Sequence, residues 1–428
     1  MEKLFHLKAH NTRIKTEVFS GLTTFLTMAY ILAVNPLILS STGMDIGGVF
    51  TATALSAAIA TFVMAFTANY PFALAPGMGL NAFFATTIVL TMGYSWQFAL
   101  TAVFLEGLIF LILTFLNIRE AIVNCIPTNV KRSISVGIGL FIAFIGLQKA
   151  GIIVNHENNL VILGNVSSGT ALLSVLGLLI TGILFIFRIK GALLIGIVIS
   201  TIIGFPMGIT SAPTGSWAPP SIAPVFAKFD FTQIFTFDML IILFTFLFVD
   251  MFDTVGTLIG VSNKAGFLDK NGRLPKAKKA LFADAVGTTV GAVLGTSTVT
   301  TYVESASGVV EGGRTGLTAA TTAVLFLLAL FISPLFLMIP AAATAPALIF
   351  VGLFMMTPVR DIDFEDYTEA IPAFLTIIIM PLAYSIADGI MFGMLGYILL
   401  KLSSGRSREV TVTAYIVGVF FLLKFIIG

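Results

Sequence analysis

This sequence predicts an all-α polytopic membrane protein of fourteen transmembrane segments, built as two inverted repeats of seven. Three observations predict it. Only 10% of the 428 residues are charged and 57% are hydrophobic, against about a quarter charged in soluble domains. Fourteen apolar stretches follow one another, from 10 to 27 residues long, several of them shorter than the roughly 20 residues that a crossing needs. Counted from a cytoplasmic N-terminus, every one of the 23 Lys and Arg except Lys149, Lys228 and Lys424 falls inside, which is the bias inner loops carry.

The first stretch, 17–38, follows basic residues with no short apolar core and cleavage site, so it reads as an uncleaved insertion signal. The next are 49–69, 77–93 and 96–116, then 133–149, 169–187 and 191–209. The proline-rich external loop SAPTGSWAPPSIAPVFAKFDF joins the halves. The second half holds 236–262, 281–296, 304–313, 316–337, 341–357, 370–385 and 387–402. Seven is odd, so the second half enters the membrane in the opposite sense to the first, as in many secondary transporters. The apolar tail 410–427 reads either as a further span or as an interfacial helix.

Two segments are unlike the rest. The third reads NYPFALAPGMGLNAFFATTIVL, and Pro71, Pro76, Gly77 and Gly79 do not suit one continuous helix. The spacing predicts an extended piece over 72–79 and a half-helix from about Leu80. The tenth reads GTSTVTTYVESASGVVEGG; its β-branched run 298–303 suits a strand, and a short helix follows near Glu304. Gly79-Leu80-Asn81 laid against Tyr302-Val303-Glu304 brings the two half-helix starts to matching places. Non-helical backbone at membrane depth must be buried in protein or line a polar cavity, and two such segments, one per half, point to a transporter's site. The candidate binding set therefore includes Gly79, Asn81, Val303 and Glu304, with Thr27 of the first span.

The eighth segment contains FVDMFDTVG. Asp250 and Asp253 are three residues apart and share a helical face, with Thr254 beside them. Carboxylates at this depth are costly unless they serve function or face a polar cavity. Close like charges and burial favour the protonated form, so Asp250, Asp253 and Glu304 are the candidate proton-coupling groups. Free N–H groups at the half-helix starts, with Asn81 and Glu304, match the donors and acceptors of a planar heterocycle such as a purine. Asp284 and Glu106 read as structural.

The motifs TTFLTMAYILAVNP (23–36), ALAPGMGLNAFFA (73–85), FVDMFDTVGTLIG (248–260) and TSTVTTYVESASGVVEGGRTG (296–316) resemble those of the AzgA-like purine permeases of the nucleobase:cation symporter-2 family, over nearly the whole chain. The resemblance implies a core domain (1–126 and 236–337), a gate domain (127–210 and 338–403) and a tail (404–428). It also implies substrate residues Asn81, Asp250 and Glu304 with Asp253 close by. Its members import hypoxanthine and guanine, or adenine, with protons, often as dimers, which implies an inner (plasma) membrane location in the lipid bilayer.

The alternative is a carrier of the same fold for uracil, xanthine or a small anion. An intramembrane aspartate enzyme is the remote one; a second aspartate-rich motif is missing. One cysteine, Cys125, leaves no disulfide framework within the chain. His6, His10 and His156 lie outside the spans and supply no intramembrane metal site. No cofactor and no nucleic-acid partner are expected.

Overall fold

The computed structural model describes residues 2–116, 128–156, 159–167, 169–213, 216–269 and 274–427. Cys125, Arg119, Lys270 and Arg273, used above for compartment and orientation, lie outside the described residues. The first predicted span is two helices, α1 (Ile14–Met28) and α2 (Ile31–Ser40), which meet at Ala29 and Tyr30. Helix α3 (Ile46–Thr67) follows, its first turn capped by Asp45, whose Oδ1 accepts from the Gly48 N–H. The third segment is strand β1 (Leu74–Pro76), half-helix α4 (Met78–Ala82) and a wider π-helical stretch, Phe83–Thr91. Next come α5 (Trp96–Phe115) and α6 (Thr128–Lys149), the hairpin β2 (Ile153–His156) and β3 (Leu160–Leu163), then α7 (Gly169–Ile186) and α8 (Ala192–Gly204).

The second half repeats the order: α9 (Phe237–Ala265), α10 (Ala277–Leu294), β4 (Val299–Thr301), half-helix α11 (Ser305–Val310) and α12 (Gly316–Ala329), which a 3-10 turn joins to α13 (Ser333–Leu337). Then come α14 (Ala341–Met355), α15 (Tyr367–Leu382) and α16 (Ile386–Ser403). Nine helices among the described residues are long and apolar enough to cross a membrane, and the chain is a multi-pass membrane protein. The tail forms α17 (Val412–Ile427). It packs on α16, and Phe421 meets Phe244 of α9 edge-on at 5.5 Å.

Strands β1 and β4 pair antiparallel, Leu74 opposite Thr301 and Pro76 opposite Val299. Both are fully buried, so their backbone groups need partners within the protein. The sequence supplies these twice over. Thr61 of α3 accepts from the Leu74 N–H at 2.9 Å and donates to the Leu74 carbonyl at 3.2 Å. Thr288 of α10 does the same for Val299, at 3.2 and 3.0 Å. Helices α3 and α10 are the second segment of each half, so one threonine brackets the strand at the same place in both repeats.

Packing divides the helices. Helices α1, α3, α5, α10 and α12 pack mainly on one another, and α6 packs on α14 and α15, with α7 against α8 and α14. The second group holds a close crossing at two glycines. A Cβ on Gly139 would lie 2.6 Å from the Gly352 carbonyl oxygen, and one on Gly352 2.4 Å from that of Gly139, so any side chain here would force α6 and α14 apart.

Candidate functional site

The half-helices begin earlier and later than the sequence suggests. Helix α4 starts at Met78, after an extended Gly77, and α11 starts at Ser305, with Glu304 at its N-cap. Asn81 therefore stands a turn inside α4, whereas Glu304 stands at the mouth of α11. The strand pairing extends past the strands, since the Gly77 N–H donates to Thr298 and the Tyr302 N–H to Ala73. Each half-helix also reaches across to the opposite strand. Asn81 Oδ1 accepts from the Ser297 hydroxyl, and Ser305 Oγ accepts from the Ala73 N–H at 2.9 Å.

Glu304 does not cap its own helix through its side chain. Its Oε1 instead accepts from the Tyr30 hydroxyl at 2.7 Å. Tyr30 lies at the break between α1 and α2 and is 1% exposed. Asp253 is close enough to Glu304, Asp284 and Tyr30 to interact electrostatically with each, and Tyr302 is within the same range of Glu304 and Asp253. Tyr302 donates its hydroxyl to the Pro76 carbonyl at 2.6 Å, which ties the mouth of α11 to the end of β1. Glu304 and Asp253 are half-buried, and no ion pair among the described residues reaches either.

Asp250 lies one turn back along α9, fully buried. Its Oδ1 is 3.1 Å from Thr254 Oγ1, which is also 2.7 Å from Asp284 Oδ1 and 2.8 Å from Thr300 Oγ1 on β4. One hydroxyl proton faces two carboxylates. It can be given to only one of them, so the other contact becomes a hydrogen bond only when that carboxyl carries a proton of its own. The cluster thus has a place for a proton directly behind the strand. Asp284, which reads as structural in the sequence, is part of it.

The remaining expected residues sit as follows. Asn81 is fully buried, and its Nδ2 has no hydrogen-bond partner among the described residues. Gly79 backs onto α6, where a Cβ would meet Ile138 at 2.7 Å. Val303 is half exposed beside Glu304. Thr27 donates back into its own helix, to Thr24 at 2.8 Å. Glu106 accepts from Thr298 at 2.5 Å and so supports the start of β4. Tyr30, Tyr302 and Ser297 are the site residues that sequence reasoning missed; the one signal for Tyr30 is a phenol in an apolar run, which needs a partner when buried.

The arrangement presents acceptors and donors side by side: the Glu304 carboxylate, the Asp253 carboxyl and the mouth of α11. That set can hold a planar polar molecule and a proton. Among the described residues no group of three or more His, Cys, Asp and Glu could hold a metal ion. Two surface cavities, of about 590 and 520 Å³, lie elsewhere, one beside Arg13 and Arg314 and one beside Gln148 and Tyr384.

Known proteins resemble this chain in sequence and in fold. Residues 15–392 match the model of a permease family. The chain is 46% identical over 440 residues to the guanine/hypoxanthine permease PbuG of Bacillus subtilis, covering all of this chain and 99% of that protein. It is 43% identical to the adenine permease AdeP of Escherichia coli over 426 residues, all of this chain and 96% of the relative. In fold it is similar to the transmembrane domain of BicA, a cyanobacterial bicarbonate transporter, with a TM-score of 0.65 and 18% identity over 89% of this chain and 97% of that domain.

Proposed function

The chain belongs to the permease family, and on that premise we propose that it imports purine nucleobases, hypoxanthine and guanine first and adenine next, together with a proton. The observation that carries this reading is the pairing of Tyr30 with Glu304 at the mouth of α11, in a chain alike from end to end to guanine/hypoxanthine and adenine permeases. Glu304 and Asp253 hydrogen-bond the ring edge of the base, and Asn81, Gly79, Val303 and Thr27 form the surrounding wall. Asp250, held with Asp284 on the Thr254 hydroxyl, is the store for the coupling proton, with Asp253 and Glu304 as its outlet to the substrate.

Transport follows as a movement of a core (1–126 and 236–337) against a gate (127–210 and 338–403), across the contact of Gly79 with Ile138. The protein sits in the plasma membrane with its N-terminus inside, as the Lys and Arg distribution favours. The fold of BicA gives a small-anion cargo some support. The carboxylates Asp253 and Glu304, with no cation paired to either among the described residues, weigh against it.

Uptake of labelled hypoxanthine in a host stripped of its own purine carriers tests the reading, with guanine, adenine, xanthine, uracil and sulfate as cold competitors. Uptake competed by guanine or adenine, and lost when the proton gradient is collapsed at constant sodium, is expected. Accumulation that survives the collapse removes the proton step. A well-expressed protein that takes up no purine removes the cargo.

A further inference from the structure

The cavity of about 590 Å³ has His10, Asn11, Thr12, Arg13 and Thr16 on one wall and Gly312 and Arg314 on the other. It lies at the start of α1, beside the turn that leaves α11, and the orientation proposed above places it on the cytoplasmic face. Its size is within the roughly 300–1,000 Å³ of small-molecule sites. Part of its polar lining is unspent. The Arg13 side chain caps nothing, Thr12 Oγ1 is buried, and neither has a hydrogen-bond partner among the described residues. The Arg314 guanidinium is held in place by backbone, its Nη1 donating to the carbonyls of Val309 at 2.9 Å and Gly313 at 3.0 Å.

The neighbouring carboxylates are engaged elsewhere. Glu17 accepts from the backbone N–H groups of Arg314 and Thr315 and from Thr318 Oγ1 at 2.6 Å. Glu311 pairs with Lys190. Neither carboxylate neutralises a guanidinium. Two guanidinium groups, an imidazole and hydroxyls around one space, with no carboxylate turned onto the cations, is the donor set that selects phosphate.

We propose that this cavity binds a phosphate monoester, with room for one the size of a nucleoside monophosphate. Its occupant ties the start of α1 to the turn after α11. Those two elements carry Tyr30 and Glu304 at their other ends, so an occupied cavity holds the substrate pair in one arrangement and slows the cycle. The slowing rests on the permease reading; the binding does not. It also makes chemical sense of the location, because a reaction that attaches a sugar phosphate to the imported base produces this class of ligand on the same side.

The test is titration of the purified full-length protein in neutral detergent with a fluorescent nucleoside monophosphate. Inorganic phosphate, the unphosphorylated nucleoside and vesicles of phosphatidic acid in phosphatidylcholine serve as competitors. Saturable binding is expected, weakened about tenfold or more in Arg13→Ala, a change that removes no contact on which the fold depends. Arg314→Gln serves as the second variant. Competition by soluble phosphate monoesters supports the site with a free metabolite as its source, and competition by the vesicles alone supports it with a lipid headgroup. No saturable binding, binding in both variants as tight as in wild type, or equal competition by the bare nucleoside overturns it. Base uptake is measured separately, so failure here leaves the proposed transport standing.

Discussion

At the mouth of α11, Glu304 and Asp253 are flanked by hydroxyl groups, Tyr30 and Tyr302, and no Lys or Arg pairs with either among the described residues. At the far end of α16 the opposite holds. Lys401, with a fully buried side chain, meets Glu409 at 2.8 Å, Glu369 at 2.9 Å and Asp366 at 3.8 Å. Arg406 closes the group with bonds of 2.6 Å to Asp366 and to Glu409. Asn129 of α6 adds a contact to Glu369 at 3.3 Å. In the second cluster every carboxylate is paired with a cation, and the result ties α6, α15 and α16 to the 404–410 turn. In the first, hydroxyls stabilise charge without cancelling it, and neutrality has to come from protons. The difference separates a fastening from a proposed working site, since only the hydroxyl-flanked cluster is free to change its charge by taking up and releasing protons.

The largest effect separating the two regions is expected at Glu304. Glu304→Ala removes the partner of Tyr30 and the proposed acceptor for the base. A hydrogen bond to a charged group contributes about 1.5–3 kcal/mol, roughly 10- to 150-fold in affinity, and loss of the titratable group adds to it. Uptake at least about 100-fold below wild type is expected, with a melting temperature near that of the parent. Near-normal uptake would remove Glu304 from the binding set.

Asp284→Asn comes next, and it sharpens the proton assignment. An asparagine can donate to Thr254 as a protonated aspartic acid does, so the network stays joined while its titration is lost. Exchange of labelled for unlabelled base across the membrane should continue, and accumulation against a gradient should disappear. Full accumulation by this variant would place the coupling proton elsewhere.

How far the two regions were legible in the sequence differs for a physical reason. Pro71, Pro76, Gly77 and the β-branched run before Glu304 announce both broken segments, because each residue acts on its own backbone. Asp250, Asp253 and Glu304 stand out by depth alone. Tyr30 does not, because an aromatic within MAYILAV looks the same whether it faces lipid or a carboxylate, and the break at Ala29–Tyr30 carries neither Gly nor Pro. The half-helix starts were misplaced by two residues at Leu80 and by one at Glu304, as propensity fixes ends poorly. The Lys401 cluster was invisible. Lys401 and Arg406 serve the sequence only as marks of an inner loop, and nothing local relates them to Asp366 and Glu369, more than thirty residues back.

A smaller effect is expected from Lys401→Met. Removing one partner of a fully buried pair costs about 3–5 kcal/mol. Glu369 and Glu409 keep 18% and 45% of their side chains exposed, and solvent screens what remains, which brings the cost to roughly 1–3 kcal/mol. The expected outcome is a lower melting temperature with uptake per folded molecule close to wild type. Uptake that falls as far as in Glu304→Ala would mean that the cluster takes part in transport.

The smallest expected effect is none, and it separates the regions most cleanly. Hydrogen bonds from Arg406 and then Lys401 hold the Glu409 carboxyl down, from the usual 4.5 to about 2. Hydrogen bonds from Thr368 and then Arg406 hold Asp366 below the ordinary carboxylate range. A carboxylate whose folded value is depressed contributes stability that is fully present above its unfolded value and is lost only as the pH falls through the folded one. For Glu409 that window runs from 4.5 down to about 2. Between about pH 5 and 8 the cluster is therefore constant, and the melting temperature of the protein should owe no pH dependence to it. Uptake driven by protons should decline over that same interval as the external pH rises. The Lys401→Met variant isolates the contribution: its melting temperature relative to wild type should be the same at both ends of the interval. A difference that shrinks toward pH 5 would show that a proton, rather than Arg406 and Lys401, neutralises these carboxylates, and the two regions would then be of one kind.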